Sequence, residues 1–301
     1  MSSPRPQRLF VTGGRGRLAS LVADHFRAPA HAVMLFSRTS GPGFRGFDEL
    51  AEPATLAGAD AIFHLAWSTL PATSEQGAGV ETMVDLPILE KILTGLATQP
   101  AAAQSHFIFF SSGGAVYGNA PGRPNVEADP CRPIGQYGRA KRAAEELIER
   151  YAAQHGLRCA VLRVSNPYGY PVPSSRVQGL IPHALRCGVN GSPLTLWGDG
   201  SARKDFLYYT DFLSALELVL SRGLTGTFNL GAGESHRVDE VIGLAERAVE
   251  RPILLQRVAA PAWDVHDSRL ANDKFRAATG WAPQVPLAEG IRRAAAGYAA
   301  H

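Results

Sequence analysis

The sequence predicts an α/β fold, a doubly wound parallel sheet followed by a smaller C-terminal α/β domain. Three observations carry this expectation. Short apolar runs of strand length alternate with stretches of helical apolar spacing. A glycine-rich turn, Gly13-Gly14-Arg15-Gly16, lies between the first such strand and the first such helix. The chain has 301 residues, 45% hydrophobic and 19% charged, which suffices for one large or two moderate domains around an ordinary core.

Bulk chemistry narrows the classes of function. Net charge is +3 and the basic residues are scattered, so neither a nucleic-acid nor an anionic-membrane footprint is expected. Cys131, Cys159 and Cys187 are widely spaced, with no CxxC and no Cys/His cluster, so neither a disulfide framework nor a metal site is expected. The first strand begins within about ten residues without a long apolar run, so no signal peptide or membrane span is expected and the location reads as cytoplasmic.

Taken in order, residues 8–12 read as a buried strand that enters the glycine turn, and Leu21, Val22, His25 and Phe26 mark the helix behind it. Gly13 permits the tight turn, Gly16 lets backbone approach a pyrophosphate, and the helix N-terminus supplies N–H donors. Ala19 takes the third small position, where only close helix–strand packing is needed. This is the dinucleotide-binding arrangement of a Rossmann sheet. The second strand, residues 32–36, ends at Ser37-Arg38. An acid that would bind the ribose hydroxyls is missing there, and Arg38, with Arg15 and Arg17 nearby, suits a 2′-phosphate, which favours NADP over NAD; the bland alternative is three solvated arginines. Asp48 stands where it can contact an adenine edge.

Residues 59–66 form a further apolar strand that leads into Trp67-Ser68-Thr69, a helix is expected over residues 83–96, and residues 106–110 make the next strand. The stretch Ser111-Ser112-Gly113-Gly114 either presents a hydroxyl to a substrate or makes a plain turn. Tyr137 and Lys141 are four residues apart in a helical pattern and share a face. An ammonium beside a phenol favours the phenolate, so this pair can serve in proton transfer.

In the second half, residues 156–164 contain a strand that leaves through Asn166-Pro167, and a proline/serine-rich loop at residues 171–175 marks a crossing between domains. A helix is expected over residues 178–185, and residues 194–200 read as a strand and turn whose Trp197 is either a flat surface for a base or plain core. Helices are expected over residues 209–220, 238–249, 268–279 and 287–298, with a strand at 226–231.

The motifs TGGRGRLA, HLAW, SSGGAVYG, YGRAK and NPYG, in that order from about residue 9 to about 281, resemble the extended short-chain dehydrogenase/reductases, the NAD-dependent epimerase/dehydratase family. The resemblance implies a Rossmann domain over residues 1–168, with 205–232 rejoining it, and a substrate domain made mainly of 169–301. It implies cofactor contacts at Gly13, Arg15, Gly16, Arg17, Leu18, Arg38, Asp48, Leu65, Ala66, Tyr137 and Lys141, with Tyr137 as catalytic acid/base. It implies a nucleotide-sugar substrate near Ser112, Asn166, Gln178, Gly179, Trp197, Arg203 and Lys204, and a homodimer formed through helices. The family's catalytic Ser/Thr position is Gly113 here, so Ser112 is assigned the role, with Ser111 as the alternative. The dehydratase acids fall on Gly114 and Ala115, which argues against dehydration. The expected activity is UDP-sugar 4-epimerisation; the alternatives are an NADPH-dependent 4-ketoreductase and a non-catalytic dinucleotide sensor.

Overall fold

A computed structural model describes residues 6–27, 31–77, 79–98, 104–171 and 178–299. In chain order the elements are β1 (Gln7–Thr12), α1 (Arg17–Arg27), β2 (His31–Ser37), β3 (Arg45–Gly46), α2 (Phe47–Leu50), α3 (Pro53–Leu56), β4 (Ala61–His64), α4 (Pro71–Ser74), a π-helical turn (Glu81–Asp85), α5 (Leu86–Thr98), β5 (His106–Ser112), α6 (Gln136–His155) and β6 (Cys159–Val164). There follow β7 (Asn166–Tyr168), α7 (Leu180–Asn190), β8 (Leu194–Trp197), β9 (Arg203–Lys204), β10 (Phe206–Tyr208), α8 (Tyr209–Arg222), β11 (Gly226–Leu230), β12 (His236–Arg237), α9 (Val238–Val249), β13 (Leu255–Val258), β14 (Asp267–Ser268), α10 (Asp273–Thr279) and α11 (Leu287–Ala299).

The central sheet has seven strands in the order β11-β6-β5-β4-β1-β2-β3. Its inner strands are buried on both faces, which is why β4, β5 and β6 are near-continuous apolar runs instead of alternating ones. The parallel register sets Thr12 at the end of β1 opposite His64 at the end of β4 and opposite Phe36 near the end of β2. The chain winds outward in both directions from β1 and β4, so their carboxyl ends form the crevice where such sheets bind ligands. The helix α1 buries Ala19, Val22, Ala23 and Phe26, a single stripe at helical spacing.

The chain divides into two compact units, one of Met1–Ser111, Gln136–Leu162 and Leu216–Thr227, the other of Ser112–Gly135, Arg163–Ala215 and Phe228–His301. Each unit is discontinuous in sequence, and residues 216–227 return to the first. In the first unit Phe10, Phe36, Ile62, Phe107 and Phe109 of the sheet pack with Leu89, Ile92 and Leu93 of α5 and Ala144 and Ile148 of α6. In the second, α7, α9 and α11 enclose a core of Leu185, Val241, Ile242 and Ile291 with Leu196 and Phe206.

Several local expectations change in the fold. The helix expected from residue 268 begins only at Asp273, because Asp267–Ser268 pair with β9 and the buried Leu270 bridges Asn125. Tertiary strand pairing overrides a helical pattern there. Asn166-Pro167-Tyr168, through which the chain leaves β6, is itself a short strand paired with β10. The helix expected from Gln178 starts at Leu180, after Gly179 at φ 91°. Residues 172–175 of the proline/serine-rich loop lie outside the described residues. Among the described residues no helix is long and apolar enough to cross a membrane.

Candidate active site

Close backbone approach shapes the crevice at β1. Gly13 has φ 76°, and a side chain there would bring Cβ within 3.0–3.2 Å of the Leu65 and Ala66 backbone. Glycine is therefore required on both conformational and steric grounds. The Ala66 N–H donates to Thr12 Oγ1 at 3.1 Å, and the same oxygen lies 3.0 Å from His64 Nδ1. These contacts fix the backbone of Leu65 and Ala66 against the glycine turn. Gly16 N–H closes the turn on the Gly13 carbonyl at 2.6 Å, and the first N–H groups of α1, at Arg17, Leu18 and Ala19, have no acceptor within the helix. Both terminal nitrogens of Arg17 are buried without a partner. Donors without acceptors and an unneutralised guanidinium fit the pyrophosphate of a dinucleotide.

At the end of β2, Ser37 Oγ donates to the Thr39 carbonyl at 2.5 Å and receives Arg15 Nε at 3.4 Å. The Arg15 guanidinium lies 5.3 Å from the Phe44 ring centroid, and Arg38 is exposed. Asp48 is fully exposed and ion-paired with Lys91 at 3.1 Å.

His64 is buried, and burial followed by the charge on Lys141 depresses its pKa to about 3. The folded protein therefore leaves His64 unprotonated where the unfolded chain takes up a proton. Its contribution to stability is complete above about pH 6.5 and is lost as pH falls from there towards 3. We predict that His64→Asn flattens the loss of urea stability between pH 7 and pH 4.5; an unchanged loss in the variant would refute this.

The helix α6 carries Tyr137 and Lys141 one turn apart, with the Lys141 nitrogen 5.8 Å from the Tyr137 ring centroid. The lysine is 4% exposed. Its ammonium donates to the Phe110 carbonyl at 2.9 Å and lies 3.8 Å from the Trp67 ring centroid and 4.8 Å from that of Phe109. Burial pulls its pKa down to about 7, against Asp85, Glu145 and Glu81, which favour the charge. The Tyr137 phenol is held well above its ordinary value by burial and by the charges of Glu81 and Asp85. Burial and these two acids oppose the activation expected from lysine alone.

Sequence reasoning puts Trp67 at a strand end facing the expected cofactor cleft but does not single out Glu81 and Asp85 as site residues. The two acids stand four apart in a helix-like stretch, a pattern that ordinarily marks a solvated face, yet they are 2% and 6% exposed. The only available signal was their position just ahead of the apolar α5. Of the two candidate serines, Ser111 is buried and donates to the equally buried Glu145 at 2.5 Å, whereas Ser112 is partly exposed. The alternation of a strand sends these neighbours to opposite faces.

The candidate substrate residues lie in the second unit together with Ser112. Gly113 N–H donates to the Val164 carbonyl at 2.9 Å, and a side chain at this position would collide with Leu270 and the Arg163 carbonyl. Asn166 is exposed and gives its amide N–H to the Asp205 carbonyl at 2.8 Å. Gln178 and Gly179 are exposed ahead of α7. Trp197 is 37% exposed and packs edge-on against Trp263 at 5.1 Å, so it is not a core residue. Arg203 donates to the Ser235 carbonyl at 3.0 Å, and Lys204 is paired with Asp264 at 2.9 Å and bonded to the Val265 carbonyl. Both cations of the expected diphosphate site are therefore engaged by protein groups.

Comparison with known proteins follows the same lines. The UDP-glucose 4-epimerase of Mycolicibacterium smegmatis is 27% identical over 95% of this chain and 96% of its own. The dTDP-glucose 4,6-dehydratase of Streptomyces griseus is 30% identical over 82% of this chain and 74% of its own. The crystal structure of the Thermus thermophilus UDP-glucose 4-epimerase in complex with NAD superposes with a TM-score of 0.86 at 26% identity, covering 97% of this chain and 99% of the other. The model of the NAD dependent epimerase/dehydratase family matches residues 9–231, from β1 through the Tyr137–Lys141 helix to the end of β11, and the chain belongs to that family.

Proposed function

We propose that the protein is a nucleotide-sugar-modifying enzyme that moves hydride at the sugar 4-carbon, and specifically a UDP-sugar 4-epimerase. The observation that carries this reading is the Tyr137–Lys141 pair on one face of α6 combined with a turn after β5, Ser112 to Gly118, that contains no acid. Proton transfer at a sugar hydroxyl is provided for, and an acid that expels a neighbouring hydroxyl is not.

The Gly13–Leu18 turn, Arg38 and the Leu65–Ala66 backbone would hold the dinucleotide, with Lys141 at its nicotinamide end. When bound, the nicotinamide supplies the hydride acceptor and donor. Tyr137 takes the proton of the 4-hydroxyl on oxidation and gives it back on reduction. Ser112 offers a hydroxyl to the sugar. Asn166, Gln178 and Gly179 position the nucleotide end, Trp197 offers its exposed face to the base, and Arg203 and Lys204 meet the diphosphate once their present partners yield. A homodimer is proposed on the family resemblance.

Arg38 supports a second reading. With Ser37 before it, no carboxylate at this point repels a 2′-phosphate, which suits an NADPH-dependent 4-ketoreductase. The discriminating experiment incubates the purified protein with UDP-glucose and no added cofactor, then separates the UDP-hexoses. Interconversion of gluco and galacto forms establishes the epimerase. Turnover that instead consumes NADPH one-for-one with a 4-keto sugar would overturn it in favour of the reductase.

A further inference from the structure

The π-helical turn before α5 places two carboxylates beside the catalytic pair, and the proton transfer above leaves them unused. The turn is closed by the Leu86 N–H on the Glu81 carbonyl, and such turns recur at functional sites. Both carboxylates reach back to the segment that follows β4. Asp85 accepts from the Ser68 N–H at 3.1 Å and from Ser68 Oγ at 2.8 Å, and Glu81 accepts from Thr69 Oγ1. The residue immediately before this clamped pair is Trp67, whose ring lies against the Lys141 ammonium. All of these groups lie within the first compact unit.

We propose that Asp85 and Glu81 are positioning residues that hold Trp67 against Lys141 and keep the Lys141 ammonium charged within a buried site. The proposal rests on the reading of Tyr137 and Lys141 as the proton-transfer pair.

Buried carboxylates are rare unless paired, and a clamp of hydroxyl and amide donors satisfies their oxygens without consuming the lysine. The ammonium is left with one carbonyl, the faces of Trp67 and Phe109, the more distant Tyr137 ring and the fields of nearby charges. A cation over an indole face is attracted by the ring, which does not by itself compensate burial. The groups that bear on Lys141 are Asp85 and Glu81 from the π turn, Glu145 and Tyr137 from its own helix, and His64 from β4. Glu145 is already engaged by Arg142 at 3.0 Å and by Ser111, and His64 is neutral. The π turn is therefore the source of negative charge not already paired with an arginine. The same charges hold the proton on Tyr137. Together with burial of the phenol, the cluster favours the protonated forms of both groups, the state that starts the reduction half of the reaction.

The test is a direct titration. The protein has four lysines, Lys91, Lys141, Lys204 and Lys274, so carbon-13 labelling at lysine Cε gives few resonances, and the Lys141 signal is identified by its loss in Lys141→Met. Following it from pH 5 to 10 in the full-length protein without sugar reads the protonation of Lys141 alone. Asp85→Asn is expected to lower its midpoint by about one unit, the effect of removing a nearby opposite charge. The alkaline limb of the kcat profile should move in the same direction. Ser68→Ala weakens the clamp without touching a charge and should give a smaller shift of the same sign, and it serves if Asp85→Asn does not fold. A Lys141 midpoint unmoved in every folded variant would overturn the proposal. Wild-type protein inactive on nucleotide sugars, with the shift present, would leave the coupling standing and sink the functional reading instead.

Discussion

Tyr137→Phe is expected to lower kcat by about 10²–10⁴-fold, the range for removing a general acid/base, with folding and dinucleotide binding retained. The structure explains why the loss should be confined to chemistry. Lys141 is held by the Phe110 carbonyl and the Trp67 ring and not by the phenol oxygen, so removing that oxygen leaves the lysine in place. The phenylalanine keeps the ring and loses only the proton carrier. The measurement is turnover of UDP-glucose beside retention of the dinucleotide through gel filtration. If the variant turns over at the wild-type rate, Tyr137 is not the proton carrier, and if wild type and variant alike bind NADP without turning over any nucleotide sugar, the enzyme reading is wrong in favour of the sensor. Activity and dinucleotide binding lost together would indicate that the hydroxyl has a structural role.

Restoring a hydroxyl at position 113 should be harmful alone and tolerated in company. The Cβ of Gly113→Ser would press on Leu270, whose Cδ2 would lie at 2.9 Å, and on the Arg163 carbonyl at 3.0 Å. Overpacking of this kind costs about 1–3 kcal/mol. Leu270 is 1% exposed and packs with Val116 and Tyr117, so Leu270→Ala alone should cost about 2–5 kcal/mol through the cavity it leaves. Each change relieves the other, so the double variant should be more stable in urea than the sum of the single losses predicts. It also interrogates Ser112. In the wild type Ser112→Ala should lower kcat, and in the Gly113→Ser/Leu270→Ala background the same change should matter less. An equal loss in both backgrounds would show that the hydroxyl at 113 cannot replace that of Ser112.

Where the fold is locally encoded, the sequence was legible. The apolar runs of β1, β2, β5 and β6, the glycine turn and the face shared by Tyr137 and Lys141 follow from periodicities of two to four residues, which a linear reading can detect. The segment before α10 carries a helical pattern, and a linear reading misses its strand pairing because its partners, β9 and Asn125, are far away in sequence. Trp197 was open between core and surface because an aromatic ring is compatible with both, and only the packing of β8 on β13 leaves it exposed.

Residue identity at short spacing suffices for the dinucleotide turn, the acid-free turn after β5, the missing acid after β2 and the Tyr137–Lys141 pair. Three further facts needed the folded chain: Ser111 is committed to Glu145, Leu270 fills the space at Gly113, and Glu81 and Asp85 are buried and bear on Lys141. Burial and long-range contact govern these, because a carboxylate in water and one buried near Trp67 and Lys141 are the same letter with different free energies of charge.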